Sequence, residues 1–201
     1  MLWRVLPLAG VLLFYGLGFG WRMWLQARRY GGTGLVMFRS GRTGQTLREA
    51  FFLVIAVVLL VEAVRVAMVP EAGTVPPAVA ALRPLGALLL LGATALMVVA
   101  QLDLGASWRI GIDEGARPGL VTRGLYRFSR NPIFLAMLLA LVGFALLVPS
   151  WLSLAIVVGA FFGVRRHVTD EEDYLTRTYG EAYRAYARRV GRFLPGVGRF
   201  A

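Results

Sequence analysis

The sequence predicts an all-α membrane protein with about five transmembrane helices. The last two of these form a short helical hairpin, followed by an amphipathic C-terminal helix on the cytoplasmic face. Three observations predict this. Of the 201 residues, 58% are hydrophobic and 16% charged, where a soluble domain carries about a quarter charged residues. The apolar residues come in long blocks rather than at spaced positions, the signature of membrane spans. Arginines collect between the blocks, where the positive-inside rule places cytoplasmic loops. We divide the chain into residues 1–103, with three spans and an Arg-rich loop, and residues 104–201, with a connector, the hairpin and the C-terminal helix.

Charge and composition narrow the function classes. The net charge is +11. Because the arginines flank apolar blocks, their partners are membrane lipids, whose anionic headgroups attract them, rather than nucleic acid. All 22 basic residues are arginine, a pattern of GC-rich genomes that points to a bacterial inner (plasma) membrane. Cysteine is absent, which excludes disulfides, thiolate nucleophiles and Cys-ligated metal. His167 is the single histidine, with only the run Asp170–Asp173 nearby, so no metal site is expected.

Leu2 to about Trp24 is the first apolar block; Val5 to Trp21 carry no charge. No small-x-small cleavage site precedes Arg22, so we read it as a retained span. Gly16, Gly18 and Gly20 give it a small-residue face for helix packing, including the small-xxx-small pair Gly16–Gly20. Arg28, Arg29, Arg39, Arg42 and Arg48 then mark a cytoplasmic loop, which places the N-terminus outside. Phe51 to Val69 is the second span, ended by Pro70. Its Glu62 and Arg65 share a helical face, as an internal ion pair near the outer surface or as a polar wall of a substrate cavity. After the loop from Pro70 to Pro77, the third span runs from about Ala78 to Leu102, and Gln101 and Asp103 mark its cytoplasmic end.

Pro132 to Val148 and Trp151 to Val164 are shorter apolar runs split by Pro149-Ser150. They predict the helical hairpin, which leaves the cytoplasm and returns to it at Arg165-Arg166. A new helix is expected from Thr169: Thr169 can cap it, and Asp170, Glu171, Glu172 and Asp173 suit a helix N-terminus. Leu175, Tyr179, Tyr183, Tyr186 and Val190 recur at helical spacing. They form an aromatic seam suited to a membrane interface, in a helix that Gly180 bends or breaks. The C-terminus is then cytoplasmic.

A hairpin brings its two ends together. Arg130-Asn131-Pro132 and the segment from His167 to Glu172 are therefore expected to be close in space, at the end of an arginine-rich stretch from Pro118 to Phe134. These elements also carry a resemblance. Gly124-Leu125-Tyr126-Arg127-Phe128-Ser129-Arg130-Asn131-Pro132-Ile133-Phe134, then Glu171-Glu172, then Tyr179-Gly180 with Tyr183, Tyr186 and Val190, resemble the isoprenylcysteine carboxyl methyltransferase family. They are also similar to the related membrane phospholipid methyltransferases. The likeness covers roughly Gly105 to Pro195.

The resemblance implies an integral-membrane methyltransferase that uses S-adenosylmethionine without a Rossmann domain. It assigns the cofactor to Pro118, Gly119, Leu120, Val121, Tyr126, Arg130, Asn131, Pro132, Ile133, Phe134, Glu171 and Glu172. It assigns a lipid-like or small hydrophobic substrate to Arg166 and His167. Chemically, Glu171 can accept hydroxyl hydrogen bonds or hold an amino group, and Arg130 can pair with a carboxylate. The chain departs from the family pattern at Pro118 and Asn131, which stand for histidines, at Phe134, which stands for tyrosine, and at His167, which stands for arginine. A non-enzymatic membrane scaffold or transporter-like protein that retains the fold is the alternative reading.

Overall fold

The computed structural model describes residues 1–38, 43–73, 75–111 and 119–200. Its described residues are helical apart from turns and two isolated bridges, as the apolar blocks predict. The first rod comprises α1 (Leu2–Tyr15), a π turn (Gly16–Trp21) and α2 (Arg22–Tyr30). Glycines at 16, 18 and 20 lower the preference for a regular α-helix just where the turn widens. Of the expected small-residue face, Gly18 packs closely, where a Cβ would sit 3.3 Å from Met97, whereas no described residue lies within 4 Å of where a Cβ would stand at Gly16 or Gly20; Gly10 lies against Leu90.

The second rod is α3 (Thr43–Met68). Its Arg65 donates to Glu62 through Nε at 3.0 Å and Nη2 at 2.7 Å. The pair lies on the bundle surface, with the Arg65 side chain 46% exposed. The two charges neutralise each other within one turn, and neither lines the apolar cleft at the bundle core. Short α4 (Pro77–Ala80) leads to α5 (Arg83–Leu104). A Cβ on Gly86 would sit 2.8 Å from the carbonyl oxygen of Gly143, and a Cβ on Gly143 would sit 2.8 Å from that of Gly86. The two backbones approach this closely because neither residue has a side chain.

Gly143 belongs to α6 (Pro132–Leu147), begun by a proline at its first turn. Its 16 residues span only about 24 Å, short of a hydrocarbon layer of about 30 Å. Four other helical segments, Leu2–Tyr30, Thr43–Met68, Pro77–Ser107 and Trp151–Tyr179, are long and apolar enough to cross a membrane. Ser150 caps α7 (Trp151–Tyr179) by accepting from Ser153 N at 3.0 Å.

One expectation fails here. No helix starts at Thr169, because α7 continues through it, and the Thr169 hydroxyl donates back to Arg165 O at 3.0 Å. The chain breaks instead at Gly180, whose φ of +55° lies in the left-handed region, and resumes as α8 (Glu181–Arg189).

α1 packs on α3 and α5, α5 on α6, and α7 on α6 and α3. The shared core includes Phe14, Ile55, Leu59, Ala93, Met97, Ala140, Phe144 and Ala160. It draws on residues from both sides of position 103. Leu53, Val54, Leu88, Leu91 and Phe162 remain exposed on the outside of the bundle. Apolar residues on both the inner and outer faces of the helices are what a lipid surround requires. The chain is a multi-pass membrane protein.

Candidate cofactor and acceptor site

The two ends of the α6–α7 hairpin meet at an ion pair. Arg130, just before α6, donates to Glu172 Oε1 through Nε at 3.0 Å and through Nη2 at 2.8 Å. Both side chains are almost completely buried, at 1% and 3% exposure. The remaining guanidinium hydrogens go to backbone carbonyls: Nη1 to Ala187 (2.9 Å) and Val190, and Nη2 to Gly198 (3.0 Å). All five N–H donors of Arg130 are therefore used within the protein, and Phe200 covers the cation at 5.0 Å. The other carboxylate oxygen of Glu172 takes Arg192 Nη2 at 2.6 Å.

Backbone bonds extend this latch. Arg130 N donates to Gly191 O at 2.9 Å, and Asn131 N to Arg192 O at 3.1 Å. Asn131 Nδ2 also reaches Arg192 O at 3.1 Å. The segment entering α6, the middle of α7 and the chain beyond α8 are thus one unit. In this structure Arg130 has no donor left for a ligand, and both Glu172 oxygens are engaged.

The arginine-rich stretch is held from two sides. Asp103, at the end of α5, accepts from Leu125 N at 2.8 Å. Gly124 beside it has φ +58°, and a Cβ there would collide with the Asp103 carboxylate. The short turn Gly124–Arg127 is built on this contact. It places Tyr126 inward, buried, while Arg123 and Arg127 stay exposed. Tyr186 Oη donates to Tyr126 O at 2.6 Å.

Upstream, Gly119 N donates to Tyr179 Oη at 2.9 Å, and nothing lies within 4 Å of where a Cβ of Gly119 would stand. Leu120 joins the cluster of Tyr183, Tyr186, Ala187 and Val190, and Val121 is half-buried. Pro118 lies outside the described residues.

The aromatic seam does not meet a membrane surface as expected. It packs on Leu120 and Phe200, and Tyr183 is 1% exposed. Burial, followed by the Glu172 carboxylate, raises the Tyr183 phenol. Burial likewise raises Tyr186, with Arg130 opposing and Glu172 adding. Burial, then Glu171, raises Tyr126. All three phenols remain protonated at neutral pH and serve as donors or as packing surface.

Glu171 differs from its neighbour. It is half-buried, and no hydrogen bond or ion pair within the described residues reaches its carboxylate. Arg109, Glu172 and Tyr126 are its charged or titratable surroundings.

Arg166 points away from the site. Its side chain is 68% exposed and pairs with Asp170 at 3.1 Å. His167 is buried, with its ring 5.2 Å from Phe134 and 6.0 Å from Phe52. Pro132 is buried at the first turn of α6, and Ile133 packs against the main core. Towards the middle of the bundle from His167 the helices leave a narrow apolar cleft. Phe14, Phe52, Ile55, Leu59, Phe144 and Val164 are among its lining residues.

Several pairings have no signal in the sequence: Arg192 with Glu172, Asp103 under Gly124, Tyr179 with Gly119, and Arg48 with Asp170 across α3 and α7.

Comparison with known proteins assigns the family. A family model described as phospholipid methyltransferase matches residues 82–182, just over half of the chain, and spans α5, α6, α7 and the connector. The chain is 34% identical over 91 residues to protein-S-isoprenylcysteine O-methyltransferase A of Arabidopsis thaliana, covering 44% of this chain and 45% of the relative. It is 36% identical over 81 residues to the B protein of the same plant, covering 39% and 40%. It is 30% identical over 79 residues to protein-S-isoprenylcysteine O-methyltransferase of Schizosaccharomyces pombe, covering 38% and 33%. The chain thus spans less than half the length of each of these relatives. The matched segment contains the Arg130–Glu172 latch, Glu171 and the hairpin, and the chain belongs to the phospholipid methyltransferase family.

Proposed function

We propose that this chain transfers a methyl group from S-adenosylmethionine to a lipophilic or small acceptor at the cytoplasmic face of a bacterial inner membrane. Its N-terminus is then outside and its C-terminus inside. The observation that carries the reading is Glu171. It is a carboxyl group without a hydrogen-bond or ion-pair partner among the described residues, set beside the rigid Arg130–Glu172–Arg192 latch, within the segment that matches the family.

The residues present fit this cofactor. Its hydroxyl and ammonium groups need an acceptor, which Glu171, unpartnered among the described residues, supplies, and no described residue crowds the Gly119 backbone, so a ligand can approach the main chain there. In this reading Gly119, Leu120 and Val121 line the cofactor together with Glu171. Pro118 completes the same stretch. Tyr126, Arg130, Asn131 and Glu172 position the wall, and Pro132, Ile133 and Phe134 form the end of α6 against it. When bound, the cofactor supplies a methyl group activated on a sulfonium.

What remains for the protein is alignment of the acceptor and exclusion of water, which in-line displacement needs more than acid–base groups. The buried latch and the tyrosine cluster provide a rigid, dry wall. The cleft between the spans is lined by apolar side chains, the surface that a hydrocarbon chain entering from the bilayer side would meet.

The test is incubation of the purified full chain with methyl-tritiated S-adenosylmethionine and a total lipid extract. The expected result is label in the lipid fraction above that of heat-inactivated protein. Absence of transfer would favour the alternative, a scaffold that retains the fold without the activity.

A further inference from the structure

The turn that follows α8 carries exposed apolar side chains at its tip. Leu194 is 52% exposed and Val197 63%, and Pro195 between them is exposed as well. The turn is closed by its own backbone: Val197 N donates to Leu194 O at 3.1 Å, and Arg192 N to Val197 O at 2.8 Å. A Cβ on Gly191 would collide with the carbonyl oxygens of both Leu194 and Val197, so the chain folds over a glycine. Gly196 and Gly198, with φ of +80° and +70°, complete the reversal. Single exposed apolar residues need no explanation, but three grouped on one hydrogen-bonded tip mark a surface that something covers.

The direction of the chain says what covers it. Ser129 and Gly191 pair as a parallel bridge. Arg130 N and Asn131 N then donate in succession to Gly191 O and Arg192 O, at 2.9 and 3.1 Å. Residues 191–194 therefore run the same way as residues 129–132, which lead into α6. Phe134, in the first turn of α6, has its ring 5.2 Å from that of His167. His167 follows the exposed Arg165 and Arg166, where the apolar part of α7 ends. That level is the boundary between hydrocarbon and headgroups, and the turn heads towards it. Arg199 adds a cation: the residue is exposed, and its Nη2 lies 3.7 Å from where a Cβ of Gly196 would stand.

We infer that the turn 194–197 is a membrane-interface anchor, with Leu194, Pro195 and Val197 seated in the headgroup layer at this end of the bundle and Arg199 paired with the phosphate of an anionic lipid. Apolar side chains beside a cation suit that layer, where the first reach the acyl boundary and the second stays among the phosphates. The anchor is tied to the latch on both sides. Arg192 before it holds Glu172 Oε2 at 2.6 Å, and Gly198 O after it accepts from Arg130 Nη2 at 3.0 Å. The lipid surface thus bears on the unit that joins α6 to α7. The inference concerns the bilayer and stands apart from the methyltransferase reading.

The chain has no cysteine, so each introduced cysteine gives a single site for a nitroxide label. Leu194→Cys and Val197→Cys probe the tip, and Arg184→Cys, on the exposed face of α8, is the control. The labelled full chain is placed in bilayers of equal parts dioleoyl phosphatidylcholine and dioleoyl phosphatidylglycerol. Collisions of the label are read with oxygen, which concentrates in lipid, and with a water-soluble nickel chelate.

We expect the labels at 194 and 197 to lose most of the nickel collisions seen at 184 and to gain oxygen collisions. In the chain labelled at 194, Arg199→Gln moves the ratio of lipid-seated to water-exposed label towards water by about fivefold, the effect of one arginine at an anionic surface. In phosphatidylcholine alone the same substitution changes nothing. Only backbone atoms close the turn, so the labelled chains keep the parent's melting curve. Nickel collisions at both tip positions equal to those at 184 would overturn the inference. So would broadening of the tip spectra by a neighbouring label that vanishes on dilution with unlabelled chain, since it assigns the tip to a second copy. An Arg199→Gln effect that is absent, or equal in the two bilayers, would overturn the pairing with phosphate.

Discussion

Glu172 holds Arg130 at 2.8 Å with both side chains almost fully removed from solvent. The pair joins residues 42 positions apart, one at the entrance to α6 and one in the middle of α7. Removing one member leaves a buried charge, which costs about 3–5 kcal/mol, whereas replacing both with apolar groups is far milder. Arg130→Met and Glu172→Leu should each lower the midpoint of thermal unfolding in detergent sharply, and the double variant should unfold at a higher temperature than either. A strictly additive double variant would mean that the two side chains act independently.

Asp103 and Gly124 make a second joint. Any side chain at position 124 meets both a left-handed backbone and the Asp103 carboxylate. Gly124→Ala should cost about 1–3 kcal/mol in strain. Asp103→Asn keeps an acceptor for Leu125 N and should cost less. Chemical denaturation of both variants measures the difference.

At Gly86 and Gly143 the backbones of α5 and α6 approach closely. Gly86→Val forces α5 and α6 apart and should cost about 1–3 kcal/mol as overpacking. Gly16→Val, beside open space, should leave the melting curve within about 0.5 kcal/mol of the parent. Parallel melts in one detergent test the pair.

The tyrosine cluster sets an alkaline limit. Burial raises the Tyr183 and Tyr186 phenols above their ordinary value of 10.0. Their stabilising effect is fully present below that value. It is lost as the pH climbs above it, because the unfolded chain releases the phenolic protons first. Stability should therefore fall between neutral pH and a pH above 10, and Tyr183→Phe should flatten the fall. Melts across that range, with circular dichroism, provide the measurement.

Much of the fold was legible because lipid imposes long apolar blocks, and Pro149-Ser150 splits two of them visibly. The juxtaposition of Arg130 and Glu172 followed from hairpin topology alone. The continuity of α7 was not legible: Thr169 followed by four acids looks the same at a helix start as in a helix interior, where Thr169 bonds Arg165 and Asp170 pairs with Arg166. The tyrosine seam was visible as a face, but its spacing cannot say whether lipid or protein covers it, and Leu120 and Phe200 do. Arg192 on Glu172 and Arg48 on Asp170 are tertiary pairs without local pattern. The chemistry of Arg130 suits a ligand carboxylate, but tertiary partners invisible to local pattern take all five of its donors.

The most direct test is calorimetric titration of the full chain with S-adenosylmethionine. The unmodified chain should bind. Glu171→Ala should lose about tenfold or more in affinity, as removal of a charged hydrogen-bond acceptor does. Arg166→Ala, at an exposed surface pair, should leave affinity unchanged. Binding that ignores Glu171→Ala, or no binding at all, would contradict the cofactor site proposed for this protein.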